Sequence, residues 1–401
     1  MIHLLLLLAA RVLAQDRTTE AGEASITDQT LECTIYSYPP VVAALNTFPP
    51  IWQPVMSVPT NDTVGRAKFL AMNASIPNIP PKGTLTGDFS NFTPTYNTAD
   101  PDCWWTFHQC VTPKLSGLSM DIANVPEPRT LGFGFDDGPN CSHNAFYDYL
   151  AEQEQKATMF FIGSNVMDWP LEAQRAVSDG HEICVHTWSH RYMTAFPNEG
   201  AFGELYYTLQ AIKLVTGVTP TCWRPPFGDV DDRIRYIASQ LGLETILWQY
   251  NSNDWEVGLN GVTTDTVQAN YDALAANVSA GLFDGAGVIM LTHELNNYTM
   301  QTMIDNYPKL ATAFDHLVPI AVAQNKTQPY VETNYTFQTF ASYIANHTTK
   351  PSLNGSSGSG SSSGSGSQTT GTGSGSAGAV SGSTGLVAAL ALVLGAVALG
   401  L

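Results

Sequence analysis

Between residues 129 and 322 the chain alternates short apolar runs with amphipathic stretches. TLGFGF (130–135), ATMFFIG (157–163), EICVHT (182–187), ETILWQY (244–250) and GVIMLTH (287–293) predict buried strands, being rich in aromatic and branched residues and too short for helices. CWRPPFG (222–228) predicts a short strand entering a loop, and VPIAV (318–322) a last strand. In HNAFYDYLAEQEQ (143–155), Phe146, Tyr149 and Leu150 recur at the three- and four-residue spacing of one helix face. Helices are likewise predicted over 170–179, 203–217 (ended by Gly217), 231–241, 264–280 and 300–316. Repeated strand–helix alternation predicts an α/β fold with a parallel sheet and helices outside it. Six or seven such units favour a barrel, complete or not, over an open sheet, and in barrels functional side chains sit on the loops after the strands.

The flanks read differently. Residues 15–125 are rich in Pro, Asn and Thr without a long periodic helix, which predicts an irregular N-terminal extension (15–127) over a core domain (128–322) and a C-terminal segment (323–350). Residues 1–14, MIHLLLLLAARVLA, have the apolar run and small residues of a secretory signal. Residues 351–385 are mostly Ser and Gly, a composition that cannot bury a core and serves as a flexible stalk. Residues 386–401 form an uncharged apolar tail, short for a bilayer span and without basic residues after it. With small residues at Ser376, Ala377 and Gly378, this predicts a GPI-attachment signal, Ser376 being the attachment residue and Ser374 its rival. The expected address is the outer face of the plasma membrane, or the cell wall beyond it.

Composition narrows the partners. With 17 basic against 35 acidic side chains the formal charge is -18, which excludes a nucleic-acid partner that needs a basic face. No protein partner is evident. Apolar residues at 44% suffice for a large core. The six cysteines contain no CxxC pair, so a zinc ribbon is excluded; in a secretory compartment they allow three disulfides, whose pairing stays open among 15 connectivities. Ten sequons agree with that compartment: Asn61, Asn73, Asn91, Asn140, Asn277, Asn297, Asn325, Asn334, Asn346 and Asn354.

The chemistry gathers at the predicted strand ends. Asp136-Asp137-Gly138-Pro139 follows the first strand, His186-Thr187-Trp188-Ser189-His190 the third, Arg224-Pro225-Pro226-Phe227-Gly228 the next, Asn251-Ser252-Asn253-Asp254-Trp255 the fifth, and Leu291-Thr292-His293 ends GVIMLTH. Singly each has an ordinary reading: a turn, a structural ion pair, a core histidine. Together, His186 and His190, four apart as on one helical turn, with Asp137 offer three ligands and leave room for water, as catalytic metal sites require.

FDDGP, HTWSH, RPPFG, NSNDW and LTH, in that order, resemble the five motifs of the NodB-homology domain, the polysaccharide deacetylases of carbohydrate esterase family 4. The resemblance covers roughly residues 128–322 and, with the terminal segments, is greatest to the fungal GPI-anchored chitin deacetylases of that family. It implies a distorted (β/α) barrel and metal-dependent hydrolysis of N-acetyl groups on N-acetylglucosamine polymers such as chitin. Asp137, His186 and His190 would hold one divalent ion, zinc or else cobalt. Asp136 would be the general base, aimed by Arg224; His293 would be the general acid, oriented by Asp254. The backbone N–H of Phe227 would meet the oxyanion, and Trp255 and Leu291 would wall the acetyl slot, with Asp136 also facing the acetate.

Two positions depart from the family pattern: Phe227 stands where Tyr is usual, and Asn251 where Asp is common, so Asn251 receives no catalytic role. A glycan on Asn140, two residues past Gly138, would crowd the cleft. Other acetylated polymers, peptidoglycan or acetylxylan, are the alternative substrates. A non-catalytic carbohydrate-binding wall protein is the alternative class, and it predicts erosion of side chains that are all present.

Overall fold

The computed structural model describes residues 15–346. The expected signal segment, Asn354, the Ser/Gly stretch, Ser376 and the apolar tail lie outside the described residues. The strands are β1 (Thr130–Gly132), β2 (Gly134–Gly138), β3 (Thr158–Phe161), β4 (Glu182–Val185), β5 (Cys222–Trp223), β6 (Glu244–Thr245), β7 (Tyr250–Asn251), β8 (Val288–Leu291) and β9 (His316–Val318). Every ladder between them is parallel, in two sheets ordered β2-β3-β4-β5-β6 and β7-β8-β1-β9.

Two stretches of sequence join these sheets into a ring. The run predicted as one strand, 130–135, divides at Phe133, whose N–H donates to Val318 O (2.8 Å) while its carbonyl accepts from Thr158 N (2.9 Å). The first half therefore pairs with β8 and β9, the second with β3. The run ETILWQY divides in the same way: its start pairs with β5 and its end with β8. Ile122 of the extension bridges Ile246 in the gap. Asp136 bridges His293 and completes the circle. The result is a distorted (β/α) barrel. β1 to β5 and β8 are buried along their whole length, which explains their apolar character outside Thr130, Thr158, Glu182 and the Asp136-Asp137 pair.

The helices form where the periodicity places them: Asn144–Glu152, Pro170–Ser178, Asn198–Thr216, Asp232–Gln240, Thr264–Ser279 and Asn297–Ala313. Gly217 ends the third in the left-handed conformation (φ 80°), which glycine adopts without steric cost. Three expectations are corrected. VPIAV is not a strand: pairing with β1 stops at Val318, and Pro319, which has no N–H to give a ladder, leads into a helix, Ile320–Ala323. The extension contains an 11-residue helix, Thr63–Asn73, whose mixed sequence conceals its buried face of Gly65, Phe69 and Met72. Residues 186–190 are not a helical turn.

The extension is also built into the core rather than laid over it. Val41, Val55, Val58, Phe69 and Met72 join the same apolar cluster as the barrel strands. Cys33–Cys141 links the extension to the loop after β2, Cys184–Cys222 ties β4 to β5, and Cys103–Cys110 closes a short loop. Lys82 is fully buried, with Nζ 2.5 Å from Asp231 and 3.2 Å from Asp102. Arg235 meets Asp121 at 2.6 Å, both side chains being buried. Removing one partner of a buried pair strands the other charge. Lys82→Ala is therefore expected to lower unfolding stability by about 3–5 kcal/mol in denaturant titration. A loss below about 1 kcal/mol, the scale of an exposed pair, would contradict this account of how the extension is attached.

Candidate active site

All five polar clusters lie at the C-terminal ends of barrel strands. Asp136 and Asp137 are the last side chains of β2 before Gly138; His186 directly follows β4 and Arg224 directly follows β5. Asp254 opens a short 3₁₀ turn beyond β7, and His293 lies two residues past β8.

The loops converge through backbone that most residues avoid. Asp137 (φ 74°), Thr187 (66°), His190 (52°), Phe227 (57°) and Asn253 (58°) are all left-handed, although none is glycine. Such conformations persist only where the surroundings over-determine them. Those surroundings are visible. Asn165 donates to Asp137 O (2.7 Å). Ser164 donates to Trp188 O (2.6 Å), and Glu204 accepts from the N–H and the hydroxyl of Ser189 (2.8 Å each). Glu204 also accepts from Val55 N of the extension, and burial lifts its carboxyl to about 7. Asp229 accepts from Thr194 on one side and from Trp104 and Thr106 on the other, fastening the loop after β5 to the extension. Sequence reasoning missed Glu204, Asp229, Ser164 and Asn165. Asp229 directly follows RPPFG and was within reach of motif reading; the others carry no local signal.

Ligand atoms of Asp137, His186 and His190 lie within 4.8 Å of one another. The Nε2 atoms of His186 and His190 stand 3.4 and 3.1 Å from Asp137 Oδ1. His186 Nδ1 lies 2.8 Å from the carbonyl of Arg224, which can only accept, so Nδ1 carries a proton and Nε2 is the nitrogen left free to bind an ion. Asp137 Oδ1 is itself buried and makes no hydrogen bond. A buried carboxylate oxygen with two imidazole nitrogens turned toward it fits a cation, and one carboxylate with two imidazoles is a catalytic donor set with positions left open. Burial would raise the Asp137 carboxyl, but the adjoining His190 and His186 outweigh it and hold it well below the usual carboxylate range. The other group of potential ligands among the described residues, Glu182 with Cys184 and Cys222, has both sulfurs in a disulfide.

Beside the ligand group, Arg224 Nη1 donates to Asp136 Oδ1 (2.6 Å), and both side chains are buried. The guanidinium lies 3.9 Å over the Phe160 ring, which fixes its plane. Asp136 Oδ2 is 3.6 Å from His186 Nε2. His293 Nδ1 lies 2.6 Å from Asp254 Oδ1, and its backbone N–H donates to Oδ2 (3.1 Å). That leaves His293 Nε2 for the cleft. Trp255 is half-buried with its ring edge-on to His293 at 6.5 Å, and Leu291 is buried at the end of β8. Phe227 stacks on Tyr192 at 4.2 Å and meets His190 edge-on at 4.8 Å. An aromatic ring suffices for this packing, which accounts for Phe in place of Tyr. Asn251 accepts from Asn253 N (2.8 Å), a local loop contact. Asn140 donates its side-chain amide to Leu295 O (2.7 Å), so the nitrogen that would carry a sugar is engaged.

The polysaccharide deacetylase family profile matches residues 123–246. The chain is 53% identical over 336 residues to chitin deacetylase 2 of Cryptococcus neoformans var. grubii, covering 82% of this chain and 73% of that protein. It is 46% identical over 318 residues to the chitin deacetylase of Amylomyces rouxii, covering 77% and 74%. Among solved structures, the chitin deacetylase of Colletotrichum lindemuthianum aligns over 51% of this chain and 92% of its own, at 20% identity and a TM-score of 0.46. The chain belongs to the polysaccharide deacetylase family, carbohydrate esterase family 4.

Burial alone would depress the His293 imidazolium, but Asp254, and beyond it Asp137 and Asp136, reverse this and lift it to about 9. His293 is therefore protonated through neutral pH and loses its proton as pH rises through about 9. Asp254→Asn removes the largest opposing charge, so burial gains and the His293 titration, followed by NMR of the imidazole, is expected to move to lower pH. An unchanged titration would contradict the assignment of Asp254 as its partner.

Proposed function

We propose that this protein removes N-acetyl groups from N-acetylglucosamine units of chitin, releasing acetate and leaving chitosan. The observation that carries the reading is the presence of two complementary groups beside one ligand cluster: an aspartate aimed by a buried arginine, and a histidine kept protonated by a second aspartate. An amide is hydrolysed only if water loses a proton as it attacks and the departing nitrogen gains one, so a base and an acid must face each other. Chitin, rather than peptidoglycan or acetylxylan, is favoured by relatives named chitin deacetylase that are 53% and 46% identical to this chain over the aligned residues.

Asp137, His186 and His190 are the residues that would hold one divalent ion, zinc or, with the same donors, cobalt; when bound, it supplies Lewis acidity to the acetyl carbonyl and to water. Asp136 takes the proton of the attacking water, its free oxygen directed by the Arg224 contact on the other. As the carbonyl carbon gains its bond to the water oxygen, the Phe227 N–H donates to the developing oxyanion. His293 Nε2 then delivers a proton to the nitrogen as the C–N bond breaks, and Asp254 holds the ring in place. Trp255 and Leu291 wall the slot for the methyl group.

Incubation with N-acetylglucosamine oligomers is expected to release acetate, and acetylated xylan much less. Asp136→Asn is expected to lower kcat by about 10²–10⁴-fold with metal content retained. Acetate from xylan alone would transfer the reading to another polymer, and near-normal turnover of Asp136→Asn would remove Asp136 as the base.

We further infer that the protein works at the cell surface, held by a GPI anchor. The signal-like residues 1–14, the Ser/Gly stretch and the apolar tail support this, as do the exposed sequon asparagines Asn61, Asn73, Asn91, Asn297, Asn325 and Asn334. Truncation before Leu386 is expected to release the protein into the medium; retention on the cell would contradict anchoring.

A further inference from the structure

A carboxylate to which no role has been given lies between the two halves of the site. Glu294 follows His293 directly, and its side chain is fully buried. Oε1 accepts from Asn140 N (2.9 Å) and from His143 Nδ1 (3.1 Å), and Oε2 accepts from Tyr147 OH (3.0 Å). The loop after β2 closes around it: a Cβ on Gly138 would stand 2.6 Å from Oε2, so only glycine permits this approach. The backbones are clasped as well. Glu294 N donates to Asp136 O (2.8 Å), and Asp136 N donates to Thr292 O (3.0 Å). Asn140 adds its amide bond to Leu295 O.

Among the described residues Glu294 meets no Lys or Arg, and its one basic contact is the buried His143. A buried carboxylate without such a partner is costly, and an apolar side chain of similar size would serve packing better. Its three acceptor contacts instead reach one loop and the helix behind it, the loop that directly follows Asp136 and Asp137 on β2. We propose that Glu294 is a positioning residue: it fixes residues 136–140, which carry the base and a metal ligand, at a set distance from His293, which carries the acid. The inference rests on the deacetylase reading for the chemistry that the spacing serves, but the spacing itself can be observed separately. It also explains the orientation of Asn140: its backbone N–H and its side-chain amide are both used by this clasp.

The test compares Glu294→Ala, Glu294→Gln and Tyr147→Phe with the full-length protein, by acetate release from N-acetylglucosamine oligomers per folded molecule and by the crystal structure of Glu294→Ala. A misplacement near 1 Å costs about 10²-fold. Glu294→Ala is therefore expected to lose about 10²-fold in kcat with KM little changed, and to show residues 138–140 displaced from His293. Glu294→Gln, which keeps an acceptor for Asn140 N, is expected to recover most of that loss. Tyr147→Phe removes one contact and keeps the ring; about a fivefold fall in kcat at constant KM is expected. It decides the question if Glu294→Ala does not fold. Unchanged kcat per folded molecule in Glu294→Ala, or in Tyr147→Phe where that variant decides, overturns the inference, as do residues 138–140 left in place. A wild-type protein that releases no acetate would instead overturn the deacetylase reading, and the crystal structure would still decide the placement.

Discussion

Asp137 Oδ1 is buried without a hydrogen bond and faces the Nε2 atoms of His186 and His190, and His186 has its other nitrogen committed to a carbonyl. Gathering acceptors in a buried place is unfavourable unless a cation lies among them. Much of the surrounding architecture can be understood as the means of holding that unfavourable group together. It requires the end of β2 and the loop after β4 to approach within a few ångströms, with left-handed backbone at Asp137, Thr187 and His190. It also requires each loop to be gripped from behind, by Asn165, Ser164 and Glu204.

The barrel brings those loops together because two of its strands change partners midway. At Phe133 the chain leaves β8 and β9 for β3, and between Thr245 and Tyr250 it leaves β5 for β8. A ring closed in this way is irregular at its mouth, where the bridge between Asp136 and His293 forms directly beside the chemistry. The N-terminal extension takes part in this closure. Ile122 fills the gap in one divided strand, Lys82 and Asp121 meet buried charges of the helix after β5, and Val55 shares Glu204 with the histidine loop. The extension and the catalytic loops are thus one mechanical unit.

The sequence made the site far more legible than its support. The five clusters could be located because each follows a short apolar run, and because carboxylates and imidazoles at strand ends have few structural reasons to be there. The split at Phe133 could not be read, since TLGFGF is uniformly apolar and a change of partner leaves no mark on composition. The strand at 318–322 was misread for a related reason: VPIAV is as apolar as a strand, and only the missing N–H of Pro319 marks where pairing stops. Glu204 and Glu294 could not be recognised as braces, because the groups they hold are distant in sequence and a buried glutamate reads like an exposed one. The disulfide pairing was open for the same reason, as Cys33 and Cys141 are 108 residues apart.

X-ray absorption on the protein loaded with one equivalent of cobalt measures the central claim most directly. Two imidazole nitrogens and one carboxylate among the nearest neighbours, with one imidazole lost in His190→Ala, is the predicted result. A protein that takes up no ion at this stoichiometry, or that holds it through ligands unaffected by His190→Ala, would contradict the account.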